Sequence, residues 1–376
     1  MVVATPASLP PLPPPAITQP APRQVSYGLV TGRAPSGTRW VVVSVNGRAL
    51  ASRPVREGRR IWLRVPLPTG AVRVRVTTAT ADGRASSTVV RDVFGLPRAS
   101  APRIVRDRRD ALLMRKVRRL ARRFAGTAGV YAQSLTGGHG GAWNAKARFP
   151  AASTLKLAIA AAVLERHRGL PEPGSYIDDL LVSMLTRSDN AAANALEVWL
   201  AGSTSAGSHR VNSLMRSIGM TDSEMYGGYE IGTHARRIPV EVDEQPSRGY
   251  GKQTTARDMA TLFRAIWLAS GGRGPFPRKQ PGLTTVDARY LLWILAHVRD
   301  LPKLDRVEST HGGVAVMHKA GWVTTSRHDA GLVFWRGGVF VAGVMTHNRF
   351  GVGVAADVLA GRVASTVLAR LQRIEG

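Results

Sequence analysis

The chain has 376 residues, 44% of them hydrophobic, and is long enough for one large domain or for two domains with a substantial core. It contains no cysteine, which excludes disulfide bonds, thiol catalysis and zinc–thiolate sites. The net charge of +27 comes mostly from arginine and favours contact of a basic surface with nucleic acid, anionic lipid or anionic cell-wall material. Of these, nucleic-acid binding is not expected because no nucleic-acid motif is present.

The sequence predicts three consecutive segments in the N-terminal quarter of the chain, and none of them contains a cluster of catalytic residue types. Residues 1–25 are rich in proline and are expected to be disordered. Residues 26–98 contain short runs of alternating apolar and polar residues, separated by turn signals such as Asn46-Gly47. This pattern predicts a small all-β sandwich of immunoglobulin-like type, which we interpret as a spacer or binding module. Residues 99–107 are predicted to form a linker.

Residues 108–376 predict one α+β domain. Its first helix, predicted over Ile104–Phe124, is amphipathic with arginines on one face; we interpret it as packed on a sheet, with contact to a membrane or an anionic polymer as the alternative. A β-hairpin, a mainly helical stretch, three antiparallel strands and a final helix over Val354–Leu371 follow. No apolar run reaches the ~18 residues of a membrane span, and residues 1–6 lack the basic and apolar regions of a signal peptide.

Ser153 and Lys156 stand at the start of a long apolar helix rich in alanine and leucine. Residues three apart share one face of a helix, so the lysine amine can lie beside the serine hydroxyl. Burial would lower the pKa of Lys156 and make it a base for Ser153. The pair alone is more often a helix cap and a lysine that reaches solvent.

Two further polar motifs follow in order, Ser188-Asp189-Asn190 in a turn between helices and Lys319-Ala320-Gly321 at the end of a strand. With Ser153 and Lys156 they resemble the motifs of the serine β-lactamase and penicillin-binding-protein superfamily, closest to class A β-lactamases. The resemblance covers residues 108–376 and implies an antiparallel sheet flanked by helices, with a helical subdomain. It also implies a secreted or cell-envelope monomer that hydrolyses β-lactams, with β-lactam or peptidoglycan-derived small molecules as substrates and no cofactor or metal.

The resemblance implies a role for each matching residue. Ser153 would be the nucleophile that forms an acyl-enzyme, Lys156 would take its proton, and Ser188 would relay a proton to the leaving nitrogen. The backbone N–H groups at Ser153 and after the third motif would bind the oxyanion. The residues expected to bind substrate are Asn190, Lys319, Gly321 and Trp322.

Several departures from the class A pattern count against fast hydrolysis. Ala320 stands where a hydroxyl is usual, and Ser153 and Ser188 are only 35 positions apart, which predicts a shortened helical subdomain. The usual pattern around the deacylating glutamate is absent. Glu230 is the nearest candidate for this catalytic base and Glu241 and Glu244 are weaker ones, although each is more often a surface carboxylate.

Two other functions therefore stay open. Without a deacylating base an acyl-enzyme would persist, as in penicillin-binding proteins, so the chain would be a D-alanyl-D-alanine peptidase or an esterase acting on cell-wall material. A non-catalytic cell-wall-binding protein with the same fold is the second alternative. Four histidines near the terminal strands are interpreted as core or rim residues rather than metal ligands: His311, His318, His328 and His347.

Overall fold

The computed structural model describes residues 10–55, 60–230, 251–276, 282–300 and 302–376. The chain divides into two compact units, Met1–Arg98 and Ala99–Gly376. Glu241 and Glu244, the weaker candidates for a catalytic base, lie outside the described residues. None of the helices within those ranges is both long enough and apolar enough to cross a membrane.

Strands make up the described part of the N-terminal unit: β1 (Ala16–Gln19), β2 (Gln24–Ser26), β3 (Leu29–Arg33), β4 (Thr38–Val45), β5 (Arg48–Pro54), β6 (Arg60–Arg64), β7 (Gly70–Thr80) and β8 (Ala85–Gly95). They form a three-stranded sheet in the order β1-β3-β6 and a five-stranded sheet in the order β2-β8-β7-β4-β5. Valines that alternate along β4 and β7 are buried in one core to which both sheets contribute. The two sheets therefore form a sandwich.

The prediction that residues 1–25 are disordered is wrong for β1 and β2. β1 pairs with β3 and β2 pairs with β8, so the backbone of both segments is hydrogen-bonded. Both strands lie at a sheet edge, where a strand has a partner on one side only. Neither strand contains a proline: Pro15 precedes β1, and Pro20 and Pro22 lie between β1 and β2, so the average composition of the segment concealed both strands.

The larger unit is built on a six-stranded sheet in the order β14-β15-β16-β10-β11-β9, antiparallel except for the β11–β9 pair. Its strands are β9 (Arg108–Arg109), β10 (Thr127–Ser134), β11 (His139–Trp143), β14 (Ala315–Val323), β15 (Ser326–Trp335) and β16 (Gly338–His347). A separate two-stranded ribbon joins β12 (Phe149–Pro150) to β13 (Gln253–Thr254). β14 forms one edge of the large sheet.

The described helices of this unit are α1 (Ala111–Arg122), α2 (Lys156–His167), α3 (Tyr176–Thr186), α4 (Asn190–Ala201), α5 (Thr204–Ser217), α6 (Ala256–Ala269), α7 (Thr285–Leu295) and α8 (Ala355–Glu375). α1 and α8 cover one face of the sheet, and α6 covers the other. Because successive side chains of β16 point to opposite faces of the sheet, they show which helices pack on each face. Phe340 and Ala342 share a core with α1 and α8, whereas Gly343 turns to the other face, where a Cβ would lie 2.5 Å from the Ala256 carbonyl oxygen of α6. α2 to α5 pack together as a helical region.

The first helix of this unit is shorter than the sequence predicts. α1 begins at Ala111 rather than Ile104 because Asp110 caps it, its carboxylate accepting hydrogen bonds from the amides of Leu112 and Leu113. Residues 108–109 instead pair with β11 as β9. The apolar face of α1 is buried against the sheet and α8, so packing on a sheet is what the structure shows for this helix.

Candidate active site

Ser153 lies at the N-terminal end of a helical segment. Ala152–Leu155 form a 3-10 turn that runs directly into α2. The half-buried Ser153 hydroxyl makes no hydrogen bond with a described residue, so it is free to approach a ligand. The first amides of a helix lack intrahelical partners and carry the positive end of its dipole, which favours a negatively charged oxygen beside Ser153.

The backbone just before Ser153 is strained. Ala152 has φ +48°, in the left-handed region that favours glycine and that costs other residues about 1 kcal/mol or more. The segment is held by a hydrogen bond from the Ala151 amide to the Lys252 carbonyl oxygen, 2.8 Å, and by one from His328 Nε2 to the Pro150 carbonyl oxygen, 2.7 Å. These contacts fix the backbone before Ser153 and therefore the direction of its side chain.

Gly321 brings the edge strand β14 against the start of this helix. A Cβ at Gly321 would lie 2.7 Å from the Ser153 amide nitrogen and 2.8 Å from that of Thr154, so only glycine permits this approach. Trp322, the next residue, continues the strand with an exposed side chain. The backbone of β14 and the helical amides therefore border one small space, as an oxyanion site requires.

Lys156 is fully buried, and its amine meets two oxygen atoms. Nζ donates to the Ser188 carbonyl oxygen and to Asn190 Oδ1, each at 2.5 Å. Burial and, second, the positive charge of Lys319 hold the pKa of Lys156 well below its usual 10.5. A neutral lysine has two N–H groups and one lone pair. Because both N–H groups have acceptors here, the lone pair is left to accept a proton.

The serine and aspartate of the second motif have different structural roles. Ser188 has φ +59° and its Oγ accepts a hydrogen bond from Lys319 Nζ, 3.0 Å. Asp189 caps α4 by accepting from the Ala192 amide, 3.1 Å, and it also accepts from the Ser183 hydroxyl, 2.8 Å. The capping aspartate thus fixes the turn that presents the Ser188 hydroxyl to Lys319.

The loop beside Lys156 presents an aromatic ring where the sequence predicts a carboxylate. The Tyr229 ring centroid is 4.6 Å from Lys156 Nζ. Asn194 of α4 holds the Tyr229 backbone through two hydrogen bonds of 2.8 and 2.6 Å. Glu230 is exposed, and Asn190 Nδ2 donates to its carbonyl oxygen at 2.5 Å while its carboxylate bonds no described residue. The position of Glu230 therefore does not support the prediction that it is the catalytic base. The sequence analysis did not predict that Tyr229 would face Lys156.

Lys252 and Glu197 complete the surroundings of Tyr229. Lys252 Nζ donates to the carbonyl oxygens of Tyr226 and Gly228, 2.8 and 2.7 Å, and lies 4.3 Å from the Tyr229 ring. Burial lowers the pKa of Lys252 to about 8, against the pull of the buried Glu197 carboxylate. Lys252 thereby fixes the loop that carries Tyr229. Neither residue belongs to a motif that the sequence analysis could have recognised.

Lys319 is the second buried lysine of the site. Its Nζ donates to the Ala320 carbonyl oxygen at 3.0 Å as well as to Ser188. Burial lowers the pKa of Lys319 to about 8, so it remains mainly protonated at neutral pH. The environments of Lys156 and Lys319 therefore suit different tasks, since the first can accept a proton and the second can attract an anionic group.

The histidines near the terminal strands have individual partners. His318 Nδ1 lies 2.8 Å from Asp329 Oδ1, and His347 Nδ1 lies 3.0 Å from the Ser326 hydroxyl. Within the described ranges, no three histidine, aspartate or glutamate side chains are grouped so that they could hold a metal ion. His328 donates to the Pro150 carbonyl oxygen and its Nδ1 accepts from the Thr346 amide, so it supports the backbone below Ser153 as a neutral ring.

The role of His328 predicts a pH-dependent stability. Burial lowers its pKa from 6.5 to about 4, so the unfolded chain binds a proton more readily between these values. The contribution of the neutral His328 ring to the free energy of unfolding is therefore complete above pH 6.5, and it is lost as the pH falls towards 4. We expect the stability advantage of wild type over His328→Phe in urea unfolding to shrink by roughly 3 kcal/mol across this range. A difference that stays constant with pH would contradict this role.

Comparisons with known proteins agree with this geometry. The model of a family described as the β-lactamase enzyme family matches residues 112–170 and 167–371. The solved structure of PBP-A is 21% identical to this chain with a TM-score of 0.57, and the match covers 72% of this chain and 100% of PBP-A. A PBP-A mutant solved as an acyl-enzyme complex with penicillin G is 22% identical with a TM-score of 0.56, and its match covers the same shares of the two chains. No curated protein sequence matches significantly.

A class A β-lactamase from Mycobacterium abscessus is 20% identical with a TM-score of 0.53, covering 69% of this chain and 99% of its own. At such identities the solved structures establish the fold, which is the mixed α+β fold of β-lactamases. The family model extends over more than half of the chain and includes Ser153, Lys156, Ser188 and Lys319. The chain therefore belongs to the β-lactamase enzyme family of serine hydrolases.

Proposed function

We propose that this protein opens β-lactam rings by acyl transfer to Ser153 and then keeps the acyl group for a long time. One observation carries this proposal: an aromatic ring, that of Tyr229, packs against the amine of Lys156. The features that support acylation are the depressed pKa of Lys156 and the helix amides beside Ser153. Rapid turnover of β-lactams would require a base to activate water as well.

The proposed acylation step uses these groups in turn. Ser153 Oγ attacks the lactam carbonyl carbon while the lone pair of Lys156 Nζ takes the hydroxyl proton. The amides of Ser153 and Trp322 bind the oxyanion. When the C–N bond breaks, the ring nitrogen takes the Ser188 hydroxyl proton, and the proton that Lys156 took from Ser153 passes to Ser188, so that Lys156 is neutral again and Lys319 keeps its charge. The product is an ester on Ser153 and a free amine.

Deacylation needs a group that removes a proton from water, and Tyr229 is unsuited to this task. Burial raises the pKa of Tyr229 well above its usual 10, so the phenol does not ionise at neutral pH. Its hydroxyl contacts Met225 Sδ at 3.8 Å, while its ring face is turned to the two lysines. Loss of a general base slows such a step by about 10²–10⁴.

Lys319 points to substrates with a carboxylate, which β-lactams share with peptides that end in D-alanine. A D-alanyl-D-alanine peptidase or esterase acting on cell-wall material is therefore the second candidate, favoured by the same lack of a deacylating base. Location outside the cytoplasm, as a secreted or cell-envelope monomer, accords with this chemistry. The sandwich of β1–β8 would then be an immunoglobulin-like spacer or wall-binding module.

Mass spectrometry of the protein incubated with penicillin G tests the proposal. We expect an adduct of one intact penicillin, on the peptide that contains Ser153, that persists for hours after free penicillin is removed. No adduct with any of several β-lactams would overturn it; if, in addition, no substrate is turned over, a non-catalytic wall-binding protein remains. Turnover of a chromogenic cephalosporin, compared with a D-alanyl-D-alanine peptide, separates the two enzymatic functions.

The two lysines predict a bell-shaped pH dependence of acylation. The rate should rise with pH as Lys156 loses its proton and fall above pH about 8, by up to about tenfold per pH unit, as Lys319 becomes neutral and no longer attracts the substrate carboxylate. Stopped-flow acylation with a penicillin and with its carboxyl methyl ester measures both limbs. The ester should lack the falling limb; identical profiles would show that Lys319 does not act on the carboxylate.

A further inference from the structure

Four exposed apolar side chains lie at one end of the six-stranded sheet. Trp322 and Val323 are 64% and 43% exposed at the end of β14, and Phe350 and Val354 are 83% and 59% exposed between β16 and α8. We call these four residues the sheet-end patch. Large apolar side chains grouped in this way indicate an interaction surface, because single exposed ones are common but groups are not.

Backbone hydrogen bonds join the two halves of the sheet-end patch. The Asn348 amide donates to the Thr325 carbonyl oxygen at 2.9 Å, and the Val352 amide donates to the Thr324 carbonyl oxygen at 3.0 Å. The segment that carries Phe350 is thus tied to the turn that follows Val323. The patch is therefore a preformed surface.

Arginines border the sheet-end patch. The Asn348 side chain donates to the Ala125 carbonyl oxygen at 2.8 Å, which places the end of α1, with the exposed Arg122 and Arg123, beside the segment that carries Phe350. Arg349 is also exposed, and its guanidinium carbon lies 4.5 Å from the Phe350 ring centroid. None of the three arginines forms an ion pair with a described residue.

The nearest acidic side chain on α8 does not offset this charge. Asp357, in the first turn of α8, is buried and pairs with Arg327 at 2.8 Å. Arg327 lies opposite Trp322 in the β14–β15 ladder, so its side chain is on the same face of the sheet as Trp322, where it already neutralises Asp357. The exposed surface at the sheet end is consequently both apolar and positively charged.

We propose that the sheet-end patch and its arginines bind the surface of an anionic phospholipid membrane. Tryptophan and phenylalanine are favoured at the membrane interface, and arginines near it are attracted by anionic headgroups. A soluble polyanion would use the arginines but would leave Phe350 and Val354 in water, so the apolar side chains favour lipid. β14 also carries Lys319 and Gly321, so docking there holds the proposed active site close to the membrane.

Sedimentation with vesicles tests this surface in the full chain. We expect binding to vesicles of equal parts phosphatidylglycerol and phosphatidylcholine, weakened by salt, and much weaker binding to phosphatidylcholine alone. The double variants Phe350→Ser/Val354→Ser and Arg122→Glu/Arg123→Glu should each lower the binding constant at least about tenfold. Ser153→Ala should bind like wild type, because docking does not depend on acyl transfer.

Matched controls separate this surface from the general basic charge. Arg210→Glu/Arg216→Glu on α5 makes the same charge change at exposed positions, and Tyr176→Ser removes an exposed aromatic elsewhere; both should bind like wild type. Thermal melting confirms that every variant is folded. Absence of vesicle binding, or equal losses in the control variants, would overturn the proposal. Binding to soluble polyphosphate together with vesicle binding that Phe350→Ser/Val354→Ser leaves unchanged would show a polyanion site instead.

Discussion

Replacing Lys156 with methionine is expected to slow acylation by penicillin by about 10³ or more. The methionine chain fills most of the same buried space but has no lone pair that can take the proton of Ser153, and general base catalysis contributes about 10²–10⁴. The effect should fall on the acylation rate rather than on release of the acyl group. Stopped-flow mixing followed by mass spectrometry measures the rate of adduct formation directly.

Two controls accompany the Lys156→Met variant. Lys146→Met removes an exposed lysine and should acylate like wild type, whereas Ser153→Ala should form no adduct at all. Lys156→Met also leaves the Ser188 carbonyl oxygen and Asn190 Oδ1 without their donor, which costs about 1–3 kcal/mol for each group, so folding is checked by thermal melting. A folded variant that acylates within tenfold of wild type would exclude Lys156 as the base.

Replacing Tyr229 with glutamate is expected to shorten the lifetime of the acyl-enzyme by about 10² or more. Asn194 would still hold the backbone of residue 229, so the new carboxylate would stand beside Lys156 and Lys252, and the positive charge of Lys252 favours its ionised form. A carboxylate there can take a proton from water and supply the missing base. The decay of the penicillin adduct, followed by mass spectrometry, measures the lifetime.

Tyr226→Glu is the matched control for this gain. Tyr226 belongs to the same loop but is exposed, and only its carbonyl oxygen contacts Lys252, so a glutamate side chain there should leave the adduct lifetime unchanged. Tyr229→Phe should also retain the long lifetime, because it keeps the ring against Lys156. If folded Tyr229→Glu protein acylates but releases penicillin no faster, the aromatic ring is not what protects the ester.

The motif residues could be found in the sequence because their spacing reports local structure. Ser153 and Lys156 are separated by one helical turn, and Asp189 is an N-cap, which depends on its nearest neighbours alone. The structure then brings Lys156, Ser188 and Lys319 together through the Ser188 carbonyl and hydroxyl oxygens. The strands β1 and β2 were missed because the prolines that flank them give the segment the composition of a disordered chain, although the strands themselves contain none.

The sequence by itself determined the motifs, their order and the alternation of strands and helices, because each depends on residues close together in the chain. Only the tertiary structure decided which group faces Lys156. Tyr229 and Glu230 are neighbours in sequence, but Asn194 and Lys252 hold the loop so that the ring of Tyr229 meets the amine and Glu230 remains in solvent. The depressed pKa of Lys156 likewise requires burial by distant segments, a property that no local pattern records.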